Sequence, residues 1–329
     1  MSFTKPRELP VAVDVMGGDH APEAIVAGAL IAAEQGIPLV LVGDEAVVRP
    51  LLGKRRDIPL VHASEQVEMG DKPTETLRRK PSSSMRKTIG LVKDEKACAA
   101  VSCGNSGALV VTAHMDLKTL TGLERPAIAT VLPRADGGQL VLLDAGANVD
   151  CRPEMLATFA TLGSALAEAL GVKTPKVGLL SIGAEDGKGN AQVRAALPLL
   201  RALPLNVVGN VEPSAALAGE CDVLVCDGFM GNVLIKSAEG AVETVMQLMR
   251  QEIRRNPSAR FGAFLLSGAL RRFRKRVAWD AHGGGMLLGV NGVVVVGHGR
   301  ANPVAVAAAI RLAWVAHDEA LIGRVVRAL

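Results

Sequence analysis

A 329-residue chain with 49% hydrophobic residues, only 2% aromatics and no tyrosine is long enough to bury a large α/β core of small aliphatic side chains. Its net charge of +4 is uneven: residues 250–276 hold nine Arg/Lys against one Glu, a local +8 that leaves −4 elsewhere. Few aromatics for base stacking, no uninterrupted apolar span, no apolar leader in MSFTKPRELP and an odd cysteine count argue against a nucleic-acid binder, a membrane-spanning chain and a disulfide-framed secreted domain; a cytoplasmic protein is expected.

In chain order, one unit recurs: an apolar β-like run, a Gly-rich turn, then a helical pattern. VAVDVMGGDHAPEAIVAGALIAA (11–33) comes first, and IPLVLVGDEAVVRPLL (37–52) is a shorter example. KPSSSMRK (80–87) predicts a helix start, with three hydroxyls ahead of Arg86 and Lys87. That set suits a phosphate or carboxylate, and equally a capped surface helix. In ACAAVSCGNSGALVVTAH (97–114), Gly104 and Gly107 admit close backbone approach, while Asn105 and Ser106 add donors at a helix N-terminus. The unit returns at 140–166 and 176–200. Within the latter, GAEDGKGN resembles a P-loop, but its first spacing is one residue short and Gly189 stands where a magnesium-binding hydroxyl belongs.

A further unit covers 221–245, after which Val242, Val245, Met246, Met249 and Ile253 form one helical stripe. NPS (256–258) then turns the chain into the basic segment, predicting a helical hairpin over 246–276. The last unit, GVVVVGHGRANPVAVAAAIRLA (292–313), sets His298 between glycines at a strand end. There a histidine can donate to phosphate, carry a proton, or be merely structural.

Repeated βα units predict a parallel sheet with helices on both faces, whose ligands lie beyond the carboxyl ends of the strands. All six Gly-rich turns are therefore expected at one sheet edge, converging on one cleft. No turn reads G-x-G-x-x-G or G-x-S-x-G, and the other histidines show no metal-ligand spacing. Cys98/Cys103 and Cys221/Cys226 are five apart, which on a strand points them to opposite faces.

Taken together, DVMGGDHAP, RRKPSSSM, VSCGNSGAL, ERPAIATVLP, LLDAGANVDCRPEML, IGAEDGKGN, DVLVCDGFMGNVLIKSAEG and GGGMLLGVNGVVVVGHGRAN resemble the PlsX family of phosphate acyltransferases, in order from about residue 11 to 310. The resemblance implies a three-layer α/β/α fold on a mainly parallel sheet, like the isocitrate and isopropylmalate dehydrogenases. It also implies a homodimer, no metal or nucleotide cofactor, and transfer of a fatty acyl group from acyl-acyl-carrier-protein to inorganic phosphate, giving acyl-phosphate for phospholipid synthesis. One departure is Ser181-Ile-Gly-Ala-Glu185 where the family commonly reads N-I-G-E-E, losing an amide and a carboxylate.

Phosphate is already a nucleophile at neutral pH, so such an enzyme has to hold it against a carbonyl and stabilise the oxyanion. The catalytic candidates are Lys188, Asn232, Lys236 and His298. For phosphate and substrate the candidates are Asp14, Gly17, Gly18, Ser83, Ser84, Gly104, Asn105, Ser106, Gly107, Asn148, Gly189, Asn190, Asp227, Gly228, Gly231 and Asn302. Direct attack in a ternary complex is expected, since Cys103 has no identifiable base beside it. Residues 1–329 are expected to form one catalytic domain, with the 246–276 hairpin dimerising through its stem. Its tip, with Phe264, Leu265, Leu266, Arg271 and Arg272, is expected on an anionic membrane or the carrier protein, near a membrane-bound glycerol-3-phosphate acyltransferase. A phosphotransacetylase acting on short acyl-CoA is the alternative, and a non-enzymatic nucleic-acid binder using 250–276 is the second.

Overall fold

The apolar runs become β1 (Val11–Asp14), β2 (Leu39–Gly43), β3 (Leu60–His62), β4 (Ala99–Ser102), β5 (Ala127–Pro133), β6 (Gln139–Leu143), β7 (Lys176–Leu180), β8 (Asn206–Val211), β9 (Val223–Val225), β10 (Gly285–Leu288) and β11 (Val293–Val296). They join in one sheet of order β3-β2-β1-β4-β11-β10-β5-β6-β9-β7-β8. This is a computed structural model that describes residues 9–277 and 283–329, the side chains of 274–277 excepted. The leader reading of residues 1–8 and the charges of Arg274, Lys275 and Arg276 lie outside the described residues.

Alternate residues of each strand feed two cores. Val11 and Val13 of β1, like Val141 and Leu143 of β6, point to a face covered by α1 (Glu23–Glu34), α6 (Pro153–Ala169), α7 (Ala191–Arg201), α12 (Pro303–Asp318) and α13 (Leu321–Ala328). On the opposite face, α4 (Ser84–Lys93) and α5 (Ser106–Leu117) cover the first half, with α3 (Pro73–Arg79) packed on α5. There α8 (Pro213–Ala218) and the start of α9 (Gly228–Arg255) cover the second half. The fold is thus three-layer α/β/α on a mainly parallel sheet, with an apolar core on each face.

One expectation fails. Strand β10 pairs antiparallel with both β11 and β5, and β5 pairs antiparallel with β6. Strands β1, β2, β3, β4, β5 and β11 therefore run one way and the rest the other. The Gly-rich turns after β1, β4 and β11 leave one edge of the sheet; those after β6, β7 and β9 leave the other. Apolar periodicity marks a strand but not its sense, so the reversal was invisible in the sequence. Twist softens its effect. Five strand-to-strand steps separate β4 from β9. At roughly 20–25° each, they leave the carboxyl ends of the two groups about 55–80° apart instead of opposed.

The predicted hairpin is the distal half of α9 followed by α10 (Pro257–Leu265) and α11 (Ser267–Val277). Helix α9 stops at Asn256 because the residue before a proline is driven out of the helical region, here to φ −122°, ψ 121°. The Asn256 side chain then caps α10 through Ser258, and α10 folds back on α9.

Candidate functional site

At the first edge, β1 ends in Asp14, which is 1% exposed. One carboxylate oxygen accepts the Met16 N–H at 3.2 Å; the other accepts the Ser102 hydroxyl at 2.7 Å, and Ser84 also donates to the group. Burial pushes the Asp14 carboxyl above its ordinary range, against the pull of those hydrogen bonds. Three turns interlock around it. A side chain at Gly17 would strike the Gly104 backbone, and Gly18, at φ +120°, lies against the carbonyls of Cys103 and Gly299. Asp19 N–H donates to Gly299 O at 2.7 Å, and Gly297 N–H to Ser102 O at 2.8 Å.

The helix starts here are capped. Ser83 caps α4, accepting from Arg86 N, and Asn105 caps α5, accepting from Ala108 N at 3.0 Å. The Asn105 amide also donates to the carbonyls of Met69 and Asp71, 3.0 Å each. Asp14, Gly17, Gly18, Ser83, Ser84, Gly104, Asn105 and the His298 turn thus come together, and Ser106 opens the first turn of α5. Gly107 instead makes room for Pro73 of α3. Arg86, a candidate anion donor, is taken by Asp116 at 2.9 and 3.1 Å.

At the second edge the organising residue is Asp144, which sequence reasoning missed. Fully buried, it accepts five hydrogen bonds: from the N–H groups of Ile128, Gly146, Ala147 and Asn148, and from the Asn148 amide. Burial again pushes its carboxyl up, opposed by these donors. The signal was available, since DAGAN repeats the strand-end aspartate and glycine turn of DVMGG. Asn148 is buried and donates to Pro126 O at 2.8 Å, so it shapes the turn. Asp227 caps α9 through Met230 N at 2.8 Å. A Cβ at Gly228 would fall 2.5 Å from Asn148 O, and one at Gly231 would overlap the Asp144 carbonyl. Both glycines let α9 sit directly on the turn.

The loop after β7 forms a third group. Asn190 caps α7 through Val193 N, and Gly189 adopts φ +91° beneath it. The contacts of Lys188 fall within this loop, from its N–H to Glu185 O and from its stem to Gly183; it meets neither Lys236 nor His298. Below the loop, the Ser181 hydroxyl and the Asn210 carbonyl oxygen are buried without a hydrogen-bond partner.

Helix α9 joins the two edges. Starting on the Asp144 turn, with Asn232 beside Gly146, it brings Lys236 Nζ to 2.9 Å from His298 Nε2. The Arg300 N–H donates to His298 Nδ1 at 3.1 Å, which assigns the ring proton to Nε2. Lys236 is itself a donor, held 2.8 Å from Glu239 Oε2. Two donors face one another, and an anionic oxygen is the group that accepts from both. Asn302 caps α12 on the far side of the His298 turn.

Cys103, beside Asp14, is buried, and burial and the neighbouring carboxylate push its thiol up to about 12. Among the described residues no cluster of three His, Cys, Asp or Glu is placed to hold a metal ion. No described helix is long and apolar enough to cross a membrane. On the excursion Phe264 is 73% exposed, with Leu265, Leu266, Arg271 and Arg272 also outward.

A family model described as "Fatty acid synthesis protein" matches residues 9–324. The phosphate acyltransferase of Desulforudis audaxviator is 46% identical over 317 residues, covering 96% of this chain and 94% of that protein. That of Nostoc punctiforme is 44% identical over 322 residues, covering 96% and 95%. Among solved structures, a phosphotransacetylase from Streptococcus pyogenes aligns with a TM-score of 0.62 at 19% identity, over 95% of this chain and 94% of that one. A 4-hydroxythreonine-4-phosphate dehydrogenase from Klebsiella pneumoniae aligns at 0.53 and 14%, over 93% and 99%. Identities this low speak for the fold alone.

Proposed function

The chain belongs to the fatty acid synthesis protein family of phosphate acyltransferases, and from that membership we propose that it moves a fatty acyl group from acyl-acyl-carrier-protein to inorganic phosphate by direct attack in a ternary complex. The observation that carries this reading is the pair of opposed donors, Lys236 Nζ and His298 Nε2–H. Phosphate accepting from both is fixed in position and orientation. One of its oxygens attacks the thioester carbonyl; the C–O bond forms as the C–S bond breaks. The carrier thiolate leaves with the electron pair and takes up the proton that hydrogenphosphate sheds on becoming the acyl-phosphate, so the His298 ring stays neutral and keeps hold of the anion. The carbonyl oxyanion is met by N–H groups of the Gly-rich turns and the α5 N-terminus.

The high thiol pKa of Cys103 supports attack without an acyl-enzyme, because the thiolate such an intermediate requires is suppressed. Lys188 keeps a role as a donor in the β7–α7 loop, at the substrate rather than at the phosphate. Exposed Phe264, Leu265 and Leu266 with Arg271 and Arg272 suit an anionic membrane on the cytoplasmic side, where a membrane-bound glycerol-3-phosphate acyltransferase would consume the labile acyl-phosphate. Val245 and Leu248, outward on α9, suit a homodimer contact through the stem.

A phosphate-dependent assay with acyl-acyl-carrier-protein and acetyl-CoA as rival donors tests the function. The expected outcome is acyl-phosphate from the carrier substrate. Turnover of acetyl-CoA alone would replace this reading with a short-chain phosphotransacetylase.

A further inference from the structure

We propose that the first two turns of α9, with the turns after β6 and β7, seat the donor's fatty acyl chain, and that Phe229 and Val233 set the chain length accepted; this rests on the acyl-transfer reading above. Strands β6, β9 and β7 are neighbours, and the segment following each exposes large apolar side chains. Val149 follows β6, Phe229, Met230 and Val233 open α9, and Ile182, 79% exposed, follows β7. Val149 and Phe229 flank a hydrogen bond, Gly228 N to Asn148 O at 2.7 Å, so the first two groups are joined. So many apolar groups, with Phe229 itself 58% exposed, form a patch that a soluble surface does not leave uncovered.

The patch leads to the reaction centre. Phe229 and Lys236 are seven residues apart, which returns them to one stripe of α9, and Val233 lies between them. The rise from Phe229 to Lys236 is about 10.5 Å. A thioester carbonyl placed at the Lys236–His298 pair therefore has an apolar track running from it toward the strand ends. Charge decides the occupant. Asp150 and Asp227 rim the patch, which penalises an anionic lipid surface and a second copy apposed through the same rim. A neutral hydrocarbon chain carries no such penalty and gains from burial.

The test compares donors carrying C16 and C8 chains with Val233→Asp, Phe229→Ala and wild-type protein. Val233 is on the surface, so the Asp variant should fold; thermal unfolding checks this. The kcat/KM ratio of C16 to C8 is expected to fall about tenfold in Val233→Asp, and phosphate KM read in the same assays separates lost chain contacts from damage to the anion site. Titration with S-palmitoyl and S-octanoyl pantetheine, without phosphate, reads chain binding independently of turnover. A wild-type protein that transfers nothing to phosphate would end the functional reading. A C16 to C8 ratio unchanged in both variants would overturn the chain seat alone, and an unchanged ratio with a shifted molecular mass would reassign the patch to a subunit contact.

Discussion

Lys236 and His298, 62 residues apart, meet at 2.9 Å although the segments that carry them begin at opposite edges of the sheet. Helix α9 closes that gap by starting on the Asp144 turn and running across the face of the sheet to the turn after β11. The meeting point is where a side chain carried from each edge comes within hydrogen-bond distance of the other.

Removing either donor should weaken phosphate and spare the fold, since both side chains are on the surface. Lys236→Ala and His298→Ala are each expected to raise phosphate KM about 10- to 100-fold, from roughly 1.5–3 kcal/mol per charge-assisted hydrogen bond. Lys188→Ala should act on the acyl donor's KM instead. Steady-state kinetics with each substrate varied in turn would check the division; wild-type phosphate KM in both of the first two variants would refute the map.

The two strand-end aspartates bear on stability with a sign unusual for carboxylates. Folding raises the pKa of each, so the native state binds the proton more tightly. Their contribution declines as pH rises from the unfolded value near 3.8 through the folded one, and is flat above it. Asp14→Asn should flatten that decline, read as the difference in urea midpoint from wild type between about pH 4 and about pH 8. Asp144→Ala should cost at least about 3 kcal/mol, because four backbone N–H groups lose their acceptor. A neutral Asp144→Ala would mean the turn re-forms without it.

Cys103 should stay unacylated. With its thiol at about 12, native protein is expected to resist alkylation near neutral pH, and Cys103→Ala should keep most activity at a stability cost of about 1 kcal/mol. Initial-rate patterns should intersect, as in a sequential mechanism. Parallel lines, or acyl label recovered on Cys103, would contradict direct attack.

The excursion should dock on lipid. Replacing both Leu265 and Leu266 by Glu is expected to abolish sedimentation with vesicles containing phosphatidylglycerol while leaving turnover of a soluble donor in place. Arg271→Gln with Arg272→Gln should weaken binding less, by about 1 kcal/mol per charge. Unaltered sedimentation of the double Glu variant would remove the membrane reading.

The apolar runs, the glycine turns and the proline-terminated α9 were all legible, because each follows from local sterics and periodicity. Strand sense was not, because β5 and β10 carry the same apolar pattern whichever way they run. The glycines show the same limit. Gly104 and Gly107 were read as close-approach positions for a ligand, yet Gly104 lies against Gly17 of another turn and Gly107 against Pro73, while Gly228 and Gly231, read as substrate-binding, seat a helix on a carbonyl. His298 and Lys236 were separately recognisable as donors; their encounter depends on where α9 crosses the sheet, which no spacing encodes.

Gly231 rests against the Asp144 carbonyl and so acts as the pivot of a long rod. Lys236 is about 7.5 Å from that pivot along α9, and Arg255 about 36 Å. A 5° tilt that carries the far end through about 3 Å therefore displaces Lys236 by only about 0.7 Å on the same geometry. A tilt imposed on the outlying helices is thus geared down before it arrives at His298, so the short arm stays within reach of its partner.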